Sequence, residues 1–152
     1  PTFTRSLADR LNSITEHQVK EAEHGEMLKA GAVYIAPGGY HMTIKQIGKH
    51  LAIELNQEAQ VNGHRPAVDV LFASARDIEG YHLLAVVMTG MGKDGTEGLR
   101  QLKQVKQVFA VAEHQETCIV YGMPKSIIDA QLADDIQPLE AIYTSILKRL
   151  HT

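Results

Sequence analysis

The stretch Val86-Val87-Met88-Thr89-Gly90-Met91-Gly92-Lys93-Asp94-Gly95-Thr96-Glu97 runs from an apolar strand into a glycine-rich turn and delivers a carboxylate to the start of a helix. Three chemistries fit that pattern. Gly90, Gly92 and Gly95 have the G-x-G-x-x-G spacing of a dinucleotide-binding turn, and Glu113, at the end of the next strand, stands about where a ribose-binding acid would fall. Asp94 and Glu97 also fit a capping box, in which the first side chain accepts backbone N–H bonds and the second reaches back. The same aspartate suits a hydrolytic triad, because a helix N-terminus keeps a carboxylate ionised and that charge orients and stabilises an imidazolium. Asp94 weakens the dinucleotide reading: it sets an anion beside the pyrophosphate, and Lys93 offsets it only in part. Capping and catalysis do not exclude each other.

Other reactive side chains are less well arranged. None of the eight histidines stands in an H-x-H, H-x-x-x-H or H-E-x-x-H pattern, and the single Cys118 has no thiol partner, so neither a metal site nor a cofactor is expected. His114 and Cys118 are four residues apart, but a buried, inert thiol is the expectation there. No G-x-S-x-G occurs, and Ser6, Ser13, Ser74, Ser126 and Ser145 all fall within or at the start of predicted helices, where they serve as surface or capping residues. The chain thus supplies an orienting acid without an evident base or nucleophile.

The elements that must position this acid can be read from periodicity. Phe3, Leu7, Leu11 and Ile14 predict an amphipathic helix over about residues 4–15, entered from Pro1 and Thr2. Ala32 to Ala36 forms a short strand stopped by Pro37-Gly38-Gly39. Two further strands around Met42 to Ile47 and Leu51 to Leu55, joined at Gly48-Lys49, predict a hairpin. Beyond the loop Asn62 to Pro66, a helix carries Val68, Leu71, Phe72 and Ala75. Leu83 to Met88 and Val108 to Ala112 are continuous apolar strands, with a helix through Leu99 and Leu102 between them and helices opened by Pro124 and Pro138 after them. This alternation predicts an α/β domain with a largely parallel sheet.

Composition bounds the remaining possibilities. The 152 residues suit one compact domain, and a net charge of -3 with scattered Lys and Arg argues against nucleic acid as a partner. One unpaired cysteine, no apolar run of about 18 residues and no signal-like N-terminus place the expected location in the cytoplasm, without membrane insertion.

Several motifs occur in a distinctive order: Phe3-Thr4 with Leu7-Ala8-Asp9-Arg10-Leu11-Asn12; Tyr34-Ile35-Ala36-Pro37-Gly38 with His41-Met42; His64-Arg65-Pro66 with Val68-Asp69-Val70-Leu71-Phe72; Thr89 to Gly95; and Val120-Tyr121-Gly122-Met123-Pro124. Together they resemble the chemotaxis-receptor methylesterase (CheB) family over nearly the whole chain. The resemblance implies a three-layer α/β/α sandwich with a mainly parallel sheet and a β-hairpin. It also implies hydrolysis of glutamate γ-methyl esters on chemoreceptors by a Ser-His-Asp mechanism, with deamidation of receptor glutamines in some members. Asp94 matches the triad aspartate, and Met91 matches a position lining the active site. The family's histidine, in a Gln-His-Met-Pro segment, and its serine, in an earlier glycine-rich turn, fall before Pro1, as does a regulatory receiver domain. Residues 1–152 are therefore expected to form a partial catalytic domain, with its first strand and helix upstream, and to be inactive alone. The alternative expectation is a non-catalytic module that binds a receptor or regulatory partner.

Overall fold

The computed structural model describes residues 2–150, so Pro1, from which the first helix was expected to be entered, lies outside them. Two compact units meet in sequence between Gly80 and Tyr81.

In the first unit, helix α1 (Thr2–Ile14) leads to strand β1 (Gln18–Glu21), which pairs in parallel with β2 (Ala32–Ile35). The small Ala8 is buried, whereas Phe3, Leu7 and Ile14 of the predicted apolar stripe remain exposed. Side chains fasten the helix instead: Asn12 Oδ1 accepts from the Val19 N–H at 2.9 Å, and the Thr4 hydroxyl donates to Glu21 at 2.6 Å while accepting from the Gly38 N–H at 3.1 Å. The expected hairpin forms from β3 (His41–Ile47) and β4 (His50–Asn56), with Ile47 opposite His50 around the Gly48-Lys49 turn. Gly48 has φ of 63°, a conformation that costs glycine nothing. Helix α2 (Val68–Ser74) packs on β3, and Ser74 Oγ accepts from the Ile44 N–H. Ala22, Met42 and Ile53 form the buried centre of this unit, with Tyr34, Leu55 and Leu71 against them.

In the second unit, β5 (Leu83–Val87), β6 (Val108–Glu113) and β7 (Asp135–Gln137) form a parallel sheet in that order. Helix α3 (Thr96–Val105) connects β5 to β6, α4 (Gly122–Asp129) connects β6 to β7, and α5 (Leu139–Leu150) closes the unit against β6 and β7. Leu99 and Ile127 are fully buried; each such side chain contributes about 1.5–3 kcal/mol by leaving water. The mixed α/β class, with parallel sheets and a hairpin, agrees with the expectation. Strands β1 and β7 were not anticipated. Among the described residues, no helix is long and apolar enough to cross a membrane.

Strand β7 is secured by a polar contact with a pH consequence. Ser145 Oγ donates to Asp135 Oδ2 at 2.6 Å and holds this carboxyl below its ordinary value of 3.8; burial opposes the shift, while Gln137, the Ile136 N–H and the Lys148 charge reinforce it. A depressed folded-state pKa contributes stability that is present above the ordinary value and lost as pH falls through the folded one. The thermal stability difference between wild type and Asp135→Asn is therefore expected to be largest at about pH 6 and to shrink toward about pH 2.5, as read by melting curves across that range.

Candidate active site

The glycine turn leaves the carboxyl end of β5 and feeds α3, while the 114–121 loop leaves the neighbouring carboxyl end of β6. Ligands of open parallel sheets bind at this edge, because loops from adjacent strands converge there and can carry side chains without disturbing the core. Asp94 is 2% exposed, and Gly95, not Asp94, is the N-cap of α3, with a left-handed φ of 97°. The capping-box expectation is corrected accordingly. Glu97 does not reach back; it is exposed and pairs forward with Arg100 and, at 3.4 Å, with Gln101. Met91 lies 83% exposed in the same turn.

Gly90 leaves room for the Met123 side chain, and its backbone pairs with the second loop. The Gly90 N–H donates to Val120 O at 2.9 Å, and Gly90 O accepts from the Met123 N–H at 2.9 Å. Thr89 Oγ1 accepts from the Val120 N–H at 2.8 Å and donates to Val120 O at 3.1 Å. A Cβ on Gly122 would lie 2.9 Å from both Gly92 N and Gly92 O, so the two loops can approach this closely only without a side chain there. The Gly90 amide is thereby committed to the second loop.

Glu113 likewise has a framework role in place of the ribose contact. It is 1% exposed, with Oε1 accepting from the Thr89 N–H and Oε2 from the Thr117 hydroxyl, both at 2.9 Å. Thr117 Oγ1 in turn accepts from the Leu139 N–H at 2.9 Å. One buried carboxylate thus binds the start of the glycine turn to the neighbouring loop. Burial pushes the Cys118 thiol up, and the Glu113 charge adds to that; the side chain is half-buried, not the fully buried thiol expected.

The other candidates also occupy structural positions. Ser126 Oγ accepts from the Thr96 hydroxyl at 2.6 Å, Ser145 holds Asp135, Ser74 Oγ donates to Leu71 O, and Ser13 Oγ donates to Arg10 O. His24 Nδ1 accepts from the Leu55 N–H, and His114 Nδ1 from the Glu116 N–H. His41 is buried with Nε2 against Ala59 O at 2.9 Å, while its Nδ1 has no hydrogen-bond partner. His64 Nδ1 lies 2.8 Å from Pro66 O, and His17 Nδ1 lies 3.3 Å from Gly31 O. Among the described residues, no group of three His, Cys, Asp or Glu side chains is placed to hold a metal ion. The sequence reading singled out Arg65 only as part of a motif; it donates to the carbonyls of Gly39, Gln57 and Glu58 and so joins the Pro37-Gly38-Gly39 turn to the loop after β4.

A buried acid on a glycine turn at the carboxyl edge of a parallel sheet defines an α/β domain of the kind that positions chemistry on the loops beyond its strands. Residues 1–146 match the family described as CheB methylesterase, and the chain belongs to that family. Relatives named protein-glutamate methylesterase/protein-glutamine glutaminase include one from Halalkalibacterium halodurans, 50% identical across 97% of this chain and 42% of its own length. Another, from Oceanobacillus iheyensis, is 48% identical across 99% of this chain and 43% of its own. The chain therefore spans about two fifths of the curated relatives it matches. The crystal structure of the Thermotoga maritima CheB methylesterase catalytic domain superposes with a TM-score of 0.92 at 43% identity, covering 97% of this chain and 78% of that one.

Proposed function

We propose that the full-length protein hydrolyses glutamate γ-methyl esters on chemoreceptors, and that Asp94 is the acid of its Ser-His-Asp triad. The observation that carries this reading is the placement of a nearly fully buried carboxylate on the carboxyl-edge turn of a chain in the CheB methylesterase family. The serine and histidine are supplied from residues outside the 152 described by this sequence.

In this mechanism Asp94 accepts the Nδ1–H of the histidine and fixes the tautomer whose Nε2 removes the serine proton. The serine oxygen bonds to the ester carbonyl carbon, and the tetrahedral intermediate collapses as the imidazolium returns the proton to the departing methanol. Water, deprotonated by the same histidine, then releases the glutamate carboxylate and restores the serine. A receptor glutamine follows the same route with ammonia leaving, which accords with the double activity in the relatives' names. Met91 contributes through its backbone, shaping the wall of the site. The protein works in the cytoplasm on the helical cytoplasmic region of the receptor, and a receiver domain of the same polypeptide is its regulatory partner.

The direct test incubates the full-length protein with receptor carrying labelled methyl esters and follows volatile methanol. Release at a rate proportional to enzyme is expected. Receptor binding without methanol would instead establish a non-catalytic module.

A further inference from the structure

The turn that carries Asp94 is rich in glycine, the residue with the most backbone freedom, so it keeps one shape only where groups outside it impose one. Threonine hydroxyls hold it at both ends. At its entry, Thr89 Oγ1 accepts from the Val120 N–H at 2.8 Å and donates to Val120 O at 3.1 Å, and the Gly90 backbone bonds to Val120 and Met123. At its exit, the buried Thr96 donates its hydroxyl to Ser126 Oγ at 2.6 Å. Asp94 stands between the two hydroxyls, with only Gly95 separating it from Thr96.

Both ends are fastened to the same short segment, residues 120–126. That segment runs from the 114–121 loop into α4, whose Pro124 and Ile127 are buried and which packs on β6, so it offers the turn a reference fixed to the sheet. Between the two anchors, Gly92 and Gly95 take left-handed φ of 85° and 97°, and the Thr96 N–H donates to Lys93 O at 3.2 Å. A turn fastened at one end pivots about its glycines. Fastened at both, it leaves the Asp94 carboxylate one position.

Resting on the reading of Asp94 as the triad acid, we propose that Thr89 and Thr96 are positioning residues for the reaction: their hydroxyls close both ends of the turn on residues 120–126 and so fix where the carboxylate meets the histidine. They act through Asp94 and not on the reacting atoms. The carboxylate–imidazole hydrogen bond must keep its direction throughout proton transfer, and a misplacement of about 1 Å costs about 10²-fold in rate. Removing one of the two anchors releases part of that displacement.

The test compares full-length wild type with Thr89→Val, Thr96→Val, Thr89→Ser and Thr96→Ser on methylated receptor in membrane vesicles, and repeats the valine substitutions in an Asp94→Asn background. Valine keeps the shape and removes the hydroxyl; serine keeps the hydroxyl. Each valine variant is expected to lower kcat about tenfold with receptor KM unchanged, and serine at the same position to recover most of that loss. In Asp94→Asn the same valine substitutions should change kcat by less than about twofold, because a residue that acts through the carboxylate then has nothing left to position. A lower melting temperature with normal kcat per folded molecule would overturn the proposal by making the hydroxyls ties of the framework alone. An equal loss that persists in Asp94→Asn would also overturn it. If Thr96→Val does not fold, the exposed Thr89 carries the same comparison. Wild-type protein that releases no methanol, or Asp94→Asn with normal turnover, would overturn the reading of the site on which the proposal rests, and either failure shows before a threonine is changed.

Discussion

Replacing Asp94 by Asn in the full-length protein is expected to lower kcat for receptor ester hydrolysis by about 10³–10⁴-fold, or about 4–5.5 kcal/mol of transition-state stabilisation. The side chains are nearly isosteric, so packing around this buried position is retained. What changes is the charge and the hydrogen-bonding direction: the amide cannot balance an imidazolium, and its NH2 can hold the histidine in the wrong tautomer. The fall should therefore appear in kcat, with receptor KM little changed and the domain's melting temperature within about 4 °C of wild type, the effect of roughly 1 kcal/mol. A purely structural carboxylate predicts the reverse, a lower melting temperature with normal turnover per folded molecule. Gly95 already occupies the N-cap, so helix capping by a box with Glu97 does not account for the burial of Asp94.

Glu113 offers the second large effect, and it falls on stability. Glu113→Ala would strand the Thr89 N–H, leave the Thr117 hydroxyl only its longer contact with His114 O and open a cavity, at a cost of about 2–4 kcal/mol. Melting temperature should drop by about 10 °C, and the glycine turn should keep only its Thr89 and Gly90 bonds to Val120 as ties to the 114–121 loop. Glu113→Gln retains an acceptor for Thr89 and presents its NH2 to Thr117 Oγ1, whose own proton can turn to His114 O, 3.4 Å away. Its cost should stay within about 1 kcal/mol. Denaturant unfolding of the two variants distinguishes these outcomes; equal stability of Glu113→Ala and wild type would show that the carboxylate does not hold the two loops together. The same contacts explain why an acid at the end of β6 suggested ribose binding when only its spacing was visible.

The legible parts of the fold were those with a strong local period. The β3–β4 hairpin, the buried strands β5 and β6 and the helices after them could be read from apolar spacing and turn residues. Strand β1, Gln-Val-Lys-Glu, has one buried apolar residue, and β7 has three residues in all, so neither carries a period to detect. Their extended conformations are established by pairing with β2 and β6. The stripe on α1 shows the converse: its helical spacing was correct, yet Phe3, Leu7 and Ile14 are exposed while Ala8 is buried.

By itself, the sequence determined the family, the α/β class and the turn that bears Asp94, because ordered motifs and local periodicity are properties of neighbouring residues. Tertiary structure alone decided what that turn is made for. Gly122 lets two backbones meet, Gly90 leaves room for the Met123 side chain, Glu113 joins Thr89 to Thr117, and Ile119 is displayed on the resulting edge. These relations depend on groups about 20–30 residues apart satisfying one another's hydrogen bonds as they leave water, a condition that local sequence patterns do not express.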